Sequence, residues 1–156
     1  MLTQEQALDI YKQTGAVLHG HFKLTSGRHS DTYMQSAKLF VQPAQAEKVC
    51  AALAEKLQNA GVKADMVISP AIGGILMGYE VARQLGLPNI FAERENGDMT
   101  LRRGFTIEKG AKLIVTEDVV TTGGSVKEVI KLVQDLGGEV VAVASLVDRS
   151  NGKVDF

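Results

Sequence analysis

From residue 66 onward the chain repeats one unit: a short apolar run, a glycine-rich turn, and a helix with an apolar face. Met66-Val67-Ile68 leads through Gly73-Gly74 into a helical pattern that passes Ala82 and Leu85 and stops at Gly86. Lys112-Leu113-Ile114-Val115 leads through a Thr/Gly turn into a helical pattern over 125–136, closed by Gly137-Gly138. Residues 140–147 form the last and most apolar run. Near-continuous apolar strands are buried on both faces, and strands that alternate with helices run parallel. The pattern therefore predicts an α/β fold, a twisted parallel sheet flanked by helices. Residues 89–93 add a strand, and Asn96-Gly97 signals a hairpin whose return strand spans 99–105. Ligands of such sheets lie beyond the carboxyl ends of the strands, so the loops after Ile68 and Val115 are where a site is expected.

Residues 1 to about 40 do not share this rhythm and read as a subsidiary element of one domain spanning 1–156. Thr3, with Gln6 three residues on, predicts a capped helix that stops at Gly15. A polar, turn-rich stretch over 19–30 follows, with Ser26-Gly27-Arg28 as its turn. Pro43 suits the first turn of a helix that carries Val49, Leu53 and Leu57.

Composition removes several classes of function. With 17 Lys+Arg against 18 Asp+Glu the net charge is -1, whereas a duplex nucleic-acid binder needs a basic surface. No apolar run reaches the ~18 residues of a membrane helix. The first residues show no basic patch followed by an apolar run, so no signal peptide is expected and the chain reads as a cytoplasmic domain. A lone Cys50 excludes an internal disulfide framework and a Cys-rich zinc site, and reads as a small core residue. His19, His21 and His29 lack metal-ligand spacing, and Leu76 and Met77 read as flanking a buried helix face.

The chemistry concentrates in Glu117-Asp118-Val119-Val120-Thr121-Thr122-Gly123-Gly124-Ser125. A buried strand delivers two adjacent carboxylates, and a bend of small and hydroxylated residues feeds a helix. Free N–H groups at a helix start, with the positive end of the helix dipole, bind anions. Gly123 and Gly124 let the backbone approach a phosphate, and Thr121, Thr122 and Ser125 add hydroxyl donors. Carboxylates beside a phosphate must face something else, and sugar hydroxyls or a magnesium ion are their natural partners. A phosphorylated ribose satisfies both demands. The plain alternative is an ordinary strand-to-helix turn with Ser125 as cap; the acid pair and the double threonine outweigh it. Rival phosphate motifs are missing: there is no G-x-x-x-x-G-K-[ST], and no G-x-G-x-x-G follows a strand.

This stretch resembles the phosphoribosyl pyrophosphate (PRPP) motif of the type I phosphoribosyltransferases, and the likeness to their orotate branch extends over nearly the whole chain. Phe22-Lys23-Leu24-Thr25-Ser26-Gly27-Arg28 with Ser30 and Tyr33 resembles the N-terminal hood of that branch. Ser69-Pro70-Ala71-Ile72-Gly73-Gly74 is similar to its pyrophosphate loop, and Glu93-Arg94-Glu95 through Leu101-Arg102-Arg103-Gly104-Phe105 to its mobile loop. Leu146-Val147-Asp148-Arg149 resembles the strand end that carries a base-recognising arginine.

The resemblance implies transfer of the 5-phosphoribosyl group from PRPP to orotate in pyrimidine (UMP) biosynthesis, giving orotidine 5'-monophosphate and pyrophosphate. Glu117 and Asp118 would hold the ribose hydroxyls, residues 121–125 the 5-phosphate, and residues 69–74 the pyrophosphate through backbone N–H groups. Arg94 first, then Arg102 and Arg103, would close over the pyrophosphate from a neighbouring subunit, which implies a homodimer with a shared active site. Arg149 would grip the orotate carboxylate, helped by Thr121, Tyr33 and Lys23. Magnesium is implied as cofactor, held mainly through PRPP and without direct protein ligands. Two other readings belong to the same fold: transfer to a purine base, and PRPP binding by a regulator without catalysis. Two positions depart from the branch, with Thr25 and Gly73 standing where many members carry lysine; Lys23, two residues from Thr25, is a partial substitute.

Overall fold

In a computed structural model of the chain the described residues are 2–23, 29–150 and 156, with 18–34 described as backbone alone. They divide into two compact units, 1–49 and 50–156, with one helix running through the boundary. Elements of the first unit begin with helix α1 (Gln4–Gln13). Its cap is the reciprocal one expected: the Gln6 N–H donates to Thr3 Oγ1 at 3.1 Å and the Thr3 N–H to Gln6 Oε1 at 2.8 Å. Strands β1 (Val17–Lys23) and β2 (His29–Met34) then pair antiparallel, and the short helix α2 (Ser36–Leu39) follows. The expected turn at residues 26–28, and Thr25, lie outside the described residues, as do the side chains of Lys23, Ser30 and Tyr33.

Helix α3 (Pro43–Asn59) opens at the proline, as its fixed φ favours. Beyond it come β3 (Met66–Pro70), α4 (Ile75–Leu85), β4 (Asn89–Glu95), β5 (Asp98–Thr100), β6 (Lys112–Val120), α5 (Gly124–Asp135) and β7 (Glu139–Asp148). The sheet order is β5-β4-β3-β6-β7, parallel throughout except for the antiparallel β5. Val67, Ile68, Leu113, Ile114 and Val115 of the two central strands are buried. Each such side chain contributes about 1.5–3 kcal/mol, which is why these two runs announce themselves so clearly. The order reverses direction at β3, so the crevice between the carboxyl ends of β3 and β6 is the topological switch point.

Four expectations are corrected. The return strand of the hairpin is only Asp98–Thr100, not 99–105. Arg103 and Gly104 adopt φ of 62° and 76°, and the Phe105 N–H bonds back to the Arg102 carbonyl, so the chain turns out of the ladder. Strand β6 does not end at Val115 but continues through the acid pair to Val120, because its pairing with β7 persists to Val120 opposite Asp148. Strand β7, although the most apolar, is largely half-buried because it lies at the sheet edge. Leu76 does not line a buried face: it is 58% exposed while Met77 is buried. Cys50 is buried, as expected, and burial together with the charge of Glu80 pushes its thiol up to about 12, leaving it unreactive.

Candidate functional site

The carboxyl ends of β3, β6 and β7 bring three segments to one side of the sheet. From β6 come Glu117 and Asp118, both half-buried. Each folds onto adjacent backbone: the Asp118 N–H donates to Glu117 Oε1 at 3.0 Å, and the Val119 N–H to Asp118 Oδ1 at 2.9 Å. The Glu117 carboxyl is pushed up to about 8, first by burial, then by the hydrogen bond and the charge of Asp118. Val119 and Val120 are still strand, and Val120 is buried. Thr121 and Thr122 are exposed at the bend.

Gly123 then takes the cap position of α5 at φ 81°, a left-handed conformation that a side chain would strain. No side chain caps α5, so the turn with Ser125 as cap is not what the chain forms. The N–H groups of Gly124, Ser125 and Val126 have no helical acceptor. The nearest help is Thr122 Oγ1, 3.4 Å from the Gly124 nitrogen. A bend whose first-turn donors lack helical acceptors, at the positive end of a 12-residue helix, suits a phosphate dianion.

The loop after β3 lies against this acid pair. A Cβ placed on Gly73 would stand 2.9 Å from Asp118 Oδ2, so a residue with a side chain could not hold this approach unless Asp118 moved. The Ala71–Ile72 peptide is cis. Pro70 has no N–H, the Ala71 N–H is spent on the Ala92 carbonyl at 2.7 Å, and the Gly74 N–H on the Pro70 carbonyl at 3.3 Å. Ile72 and Gly73, both exposed, are the positions whose N–H groups the loop can offer an anion. Ser69 itself is fully buried.

From β7 comes Arg149, half-buried, whose N–H donates to the Val120 carbonyl at 2.7 Å and so sits beside the bend. Asp148 Oδ1 accepts from the Ser150 N–H at 2.8 Å and from its hydroxyl, which ties the turn that presents Arg149.

The arginines of the β4–β5 hairpin are engaged elsewhere. Arg94 makes a bidentate pair with Glu128 of α5, at 2.5 and 3.1 Å, and also reaches the Gly97 carbonyl. Arg103 pairs with Glu93 at 2.6 Å and lies over the Phe91 ring, 5.7 Å from its centre. Arg102 pairs with Glu95 at 3.0 Å. The hydrogen bond from Arg103 holds the Glu93 carboxyl below the usual carboxylate range. Sequence reasoning missed these glutamate partners; a count of alternating charge over 93–103 would have flagged two of them, but not Glu128.

Among the described residues no group of three or more His, Cys, Asp or Glu side chains is arranged to hold a metal. Two carboxylates at a strand end still suit a hard divalent cation that arrives with substrate phosphates, since magnesium takes one or two carboxylates and keeps its other ligands. No helix among the described residues is long and apolar enough to cross a membrane.

A phosphoribosyl transferase domain matches residues 36–155. The orotate phosphoribosyltransferase of Desulforamulus reducens is 54% identical over 155 residues, covering 99% of this chain and 80% of that protein. That of Carboxydothermus hydrogenoformans is 59% identical over 152 residues, covering 96% and 80%. Among solved structures, orotate phosphoribosyltransferase from Aeropyrum pernix superposes with a TM-score of 0.76 at 27% identity, covering 94% of this chain and 85% of that one.

Proposed function

The chain belongs to the phosphoribosyltransferase family, in its orotate branch, and from that membership and the site's geometry we infer how it transfers a phosphoribosyl group from PRPP to orotate. The observation that carries the reading is the run of β6 into α5. One strand end holds two carboxylates for a diol and, four residues on, a bend of first-turn N–H groups for a phosphate.

In this reading Glu117 and Asp118 hold the 2- and 3-hydroxyls of the ribose, and residues 121–125 hold its 5-phosphate. Ile72 and Gly73 donate to the pyrophosphate from the loop after β3. Arg149 pairs bidentately with the orotate carboxylate, with Thr121 beside the base. The bond from the anomeric carbon to pyrophosphate breaks as a nitrogen of orotate bonds to that carbon. Charge builds on the ribose ring and on the leaving group, so catalysis is positioning and electrostatic stabilisation, and no covalent nucleophile is required. Family members generally use magnesium with PRPP; held mainly through PRPP, it would neutralise charge on the pyrophosphate. Arg94, Arg102 and Arg103 then complete the pyrophosphate site by leaving their glutamates, and closure keeps water out.

A homodimer follows from this reading, because the arginine loop acts on a neighbouring subunit's site. Ile72 in the loop before α4, with Leu76 and Tyr79 on successive turns of α4, supports it: the three are 86%, 58% and 64% exposed. Residues 1 to about 40 take the role of hood within one functional domain, and the location is cytoplasmic. The test is base selectivity at fixed PRPP. Magnesium-dependent pyrophosphate release with orotate and none with adenine, guanine or xanthine is expected. Turnover with a purine alone, or PRPP binding without turnover, overturns the assignment.

A further inference from the structure

Three buried polar atoms have no hydrogen-bond partner among the described residues: Ser69 Oγ, Asn89 Oδ1 and Thr116 Oγ1. They come from three neighbouring strands, β3, β4 and β6, and converge on a single point of α4. A Cβ built on Gly78 would stand 2.9 Å from Ser69 Oγ, 3.1 Å from Thr116 Oγ1 and 3.2 Å from Asn89 Oδ1. Only a hydrogen fits there, so α4 rests directly on these oxygens. Gly74, one turn earlier, is as tight: its Cβ would meet the Pro70 carbonyl and Ser69 Cβ at 3.0 Å and the Thr116 carbonyl at 3.3 Å.

Stability does not account for this arrangement. A buried polar group without a partner costs about 1–3 kcal/mol, and an apolar group of the same shape avoids that cost. What the arrangement does have is position. Ser69 immediately precedes the loop that ends at Gly74, and Thr116 immediately precedes Glu117 and Asp118. The helix seated on both begins at Ile75, and the Gly78 N–H closes its first turn on the Gly74 carbonyl at 2.8 Å. The height of α4 above Ser69 and Thr116 therefore fixes how far the Ile72 and Gly73 N–H groups stand from the acid pair. Hydroxyl oxygens keep that height low, since a methyl group is bulkier and cannot accept a weak Cα–H contact from Gly78.

We propose that Thr116, Ser69 and Asn89 form a seat for Gly78 that sets the spacing between the pyrophosphate loop and the ribose-binding carboxylates, making Thr116 and Asn89 positioning residues for PRPP. The inference rests on the reading of the site given above. Its test is Thr116→Val, which exchanges the hydroxyl for a bulkier methyl that cannot accept, beside Thr116→Ser, which keeps the hydroxyl. Misplacement on the scale of an ångström is costly in such sites, so the KM for PRPP should rise about tenfold in Thr116→Val. The KM for orotate should stay within about twofold, and Thr116→Ser should behave like the parent. A folded Thr116→Val with parental KM for PRPP overturns the proposal. So does an equal rise in both KM values that Thr116→Ser does not reverse, because that is a general packing defect.

If Thr116→Val does not fold, Asn89→Ala decides by the same criteria, as it removes one oxygen of the seat and adds no bulk. If the parent itself does not turn over orotate, the functional reading fails instead. The seat is then read from PRPP affinity by titration calorimetry on the same variants, with about a tenfold loss expected and no loss fatal.

Discussion

The bend after β6 and the hairpin of β4 and β5 both carry groups for an anionic ligand, yet they stand in opposite states. At the bend three first-turn N–H groups lack helical acceptors, with only a long 3.4 Å contact from Gly124 to Thr122 Oγ1, and Glu117 is held up by burial beside a second carboxyl. At the hairpin every arginine guanidinium is already neutralised, Arg94 by Glu128, Arg102 by Glu95 and Arg103 by Glu93. The bend's N–H groups gain by binding and give up no helical bond. The hairpin must give up one ion pair for each one it makes. In the proposed reading the fixed part of the site supplies affinity, and the exchanging part responds only when a more highly charged ligand is present.

Breaking the fixed part should cost the most. Above pH 8, where Glu117 is ionised, replacing both Glu117 and Asp118 by their amides removes two charge-assisted contacts, each worth about 1.5–3 kcal/mol, so kcat/KM for PRPP should fall roughly a hundredfold to ten-thousandfold. Circular dichroism should be unchanged, because neither side chain belongs to the core. A double variant with near-parental kcat/KM would place the sugar elsewhere and remove the contrast altogether.

Arg149→Ala acts at the edge of the bend and should raise the KM for orotate by about ten- to hundredfold, the worth of one bidentate carboxylate pair. The KM for PRPP should be nearly unchanged. Equal effects on both substrates would mean that Arg149 braces the bend rather than reads the base.

The fold was legible in the sequence wherever burial is two-sided. Strands β3 and β6 have no polar alternation to confuse, and the Thr3–Gln6 cap and the Asn96-Gly97 turn are local devices. Both turn residues adopt the positive φ that such a hairpin needs, 53° and 87°. The acid pair and the bend proposed to hold phosphate could be read as one unit because their residues are contiguous. What stayed hidden was set by long-range partners. The extension of β6 to Val120 depends on β7, which pairs with it where the apolar run has already ended. Glu128 lies 34 residues from Arg94, and nothing local marks it as the partner. Ser69, Asn89 and Thr116 are unremarkable one by one and meaningful only when three strands meet one glycine.

Acidity offers a finer test of the fixed part. Glu117 titrates near 8 in the folded chain against 4.5 for an ordinary glutamate, so between those values the native state holds a proton that the unfolded state has lost. Stability without ligand should therefore decline as pH rises from about 4.5 to about 8 and then level off. Ligand binding has the opposite sign if the charged form grips magnesium–PRPP. The KM for PRPP should then fall by about fivefold from pH 7 to pH 8 and by about a further twofold above before flattening, with Glu117→Gln abolishing the slope. A flat profile in the parent would mean that Glu117 keeps its proton when PRPP binds.

The smallest effect belongs to the exchanging part and sharpens the comparison most. Glu128→Gln removes the negative partner of Arg94 while leaving its length and one hydrogen-bond acceptor. The pair is exposed on both sides, so its loss should alter stability by no more than about 1 kcal/mol. Arg94, no longer neutralised, should then transfer more readily to a pyrophosphate, and the inhibition constant for that product should fall by about two- to fivefold. Arg94→Ala should move the same constant the other way and lower kcat as well. If Glu128→Gln instead weakened pyrophosphate binding, Glu128 would be holding Arg94 where the ligand needs it. The ion pair would then be part of the finished site, and the hairpin would be as preorganised as the bend.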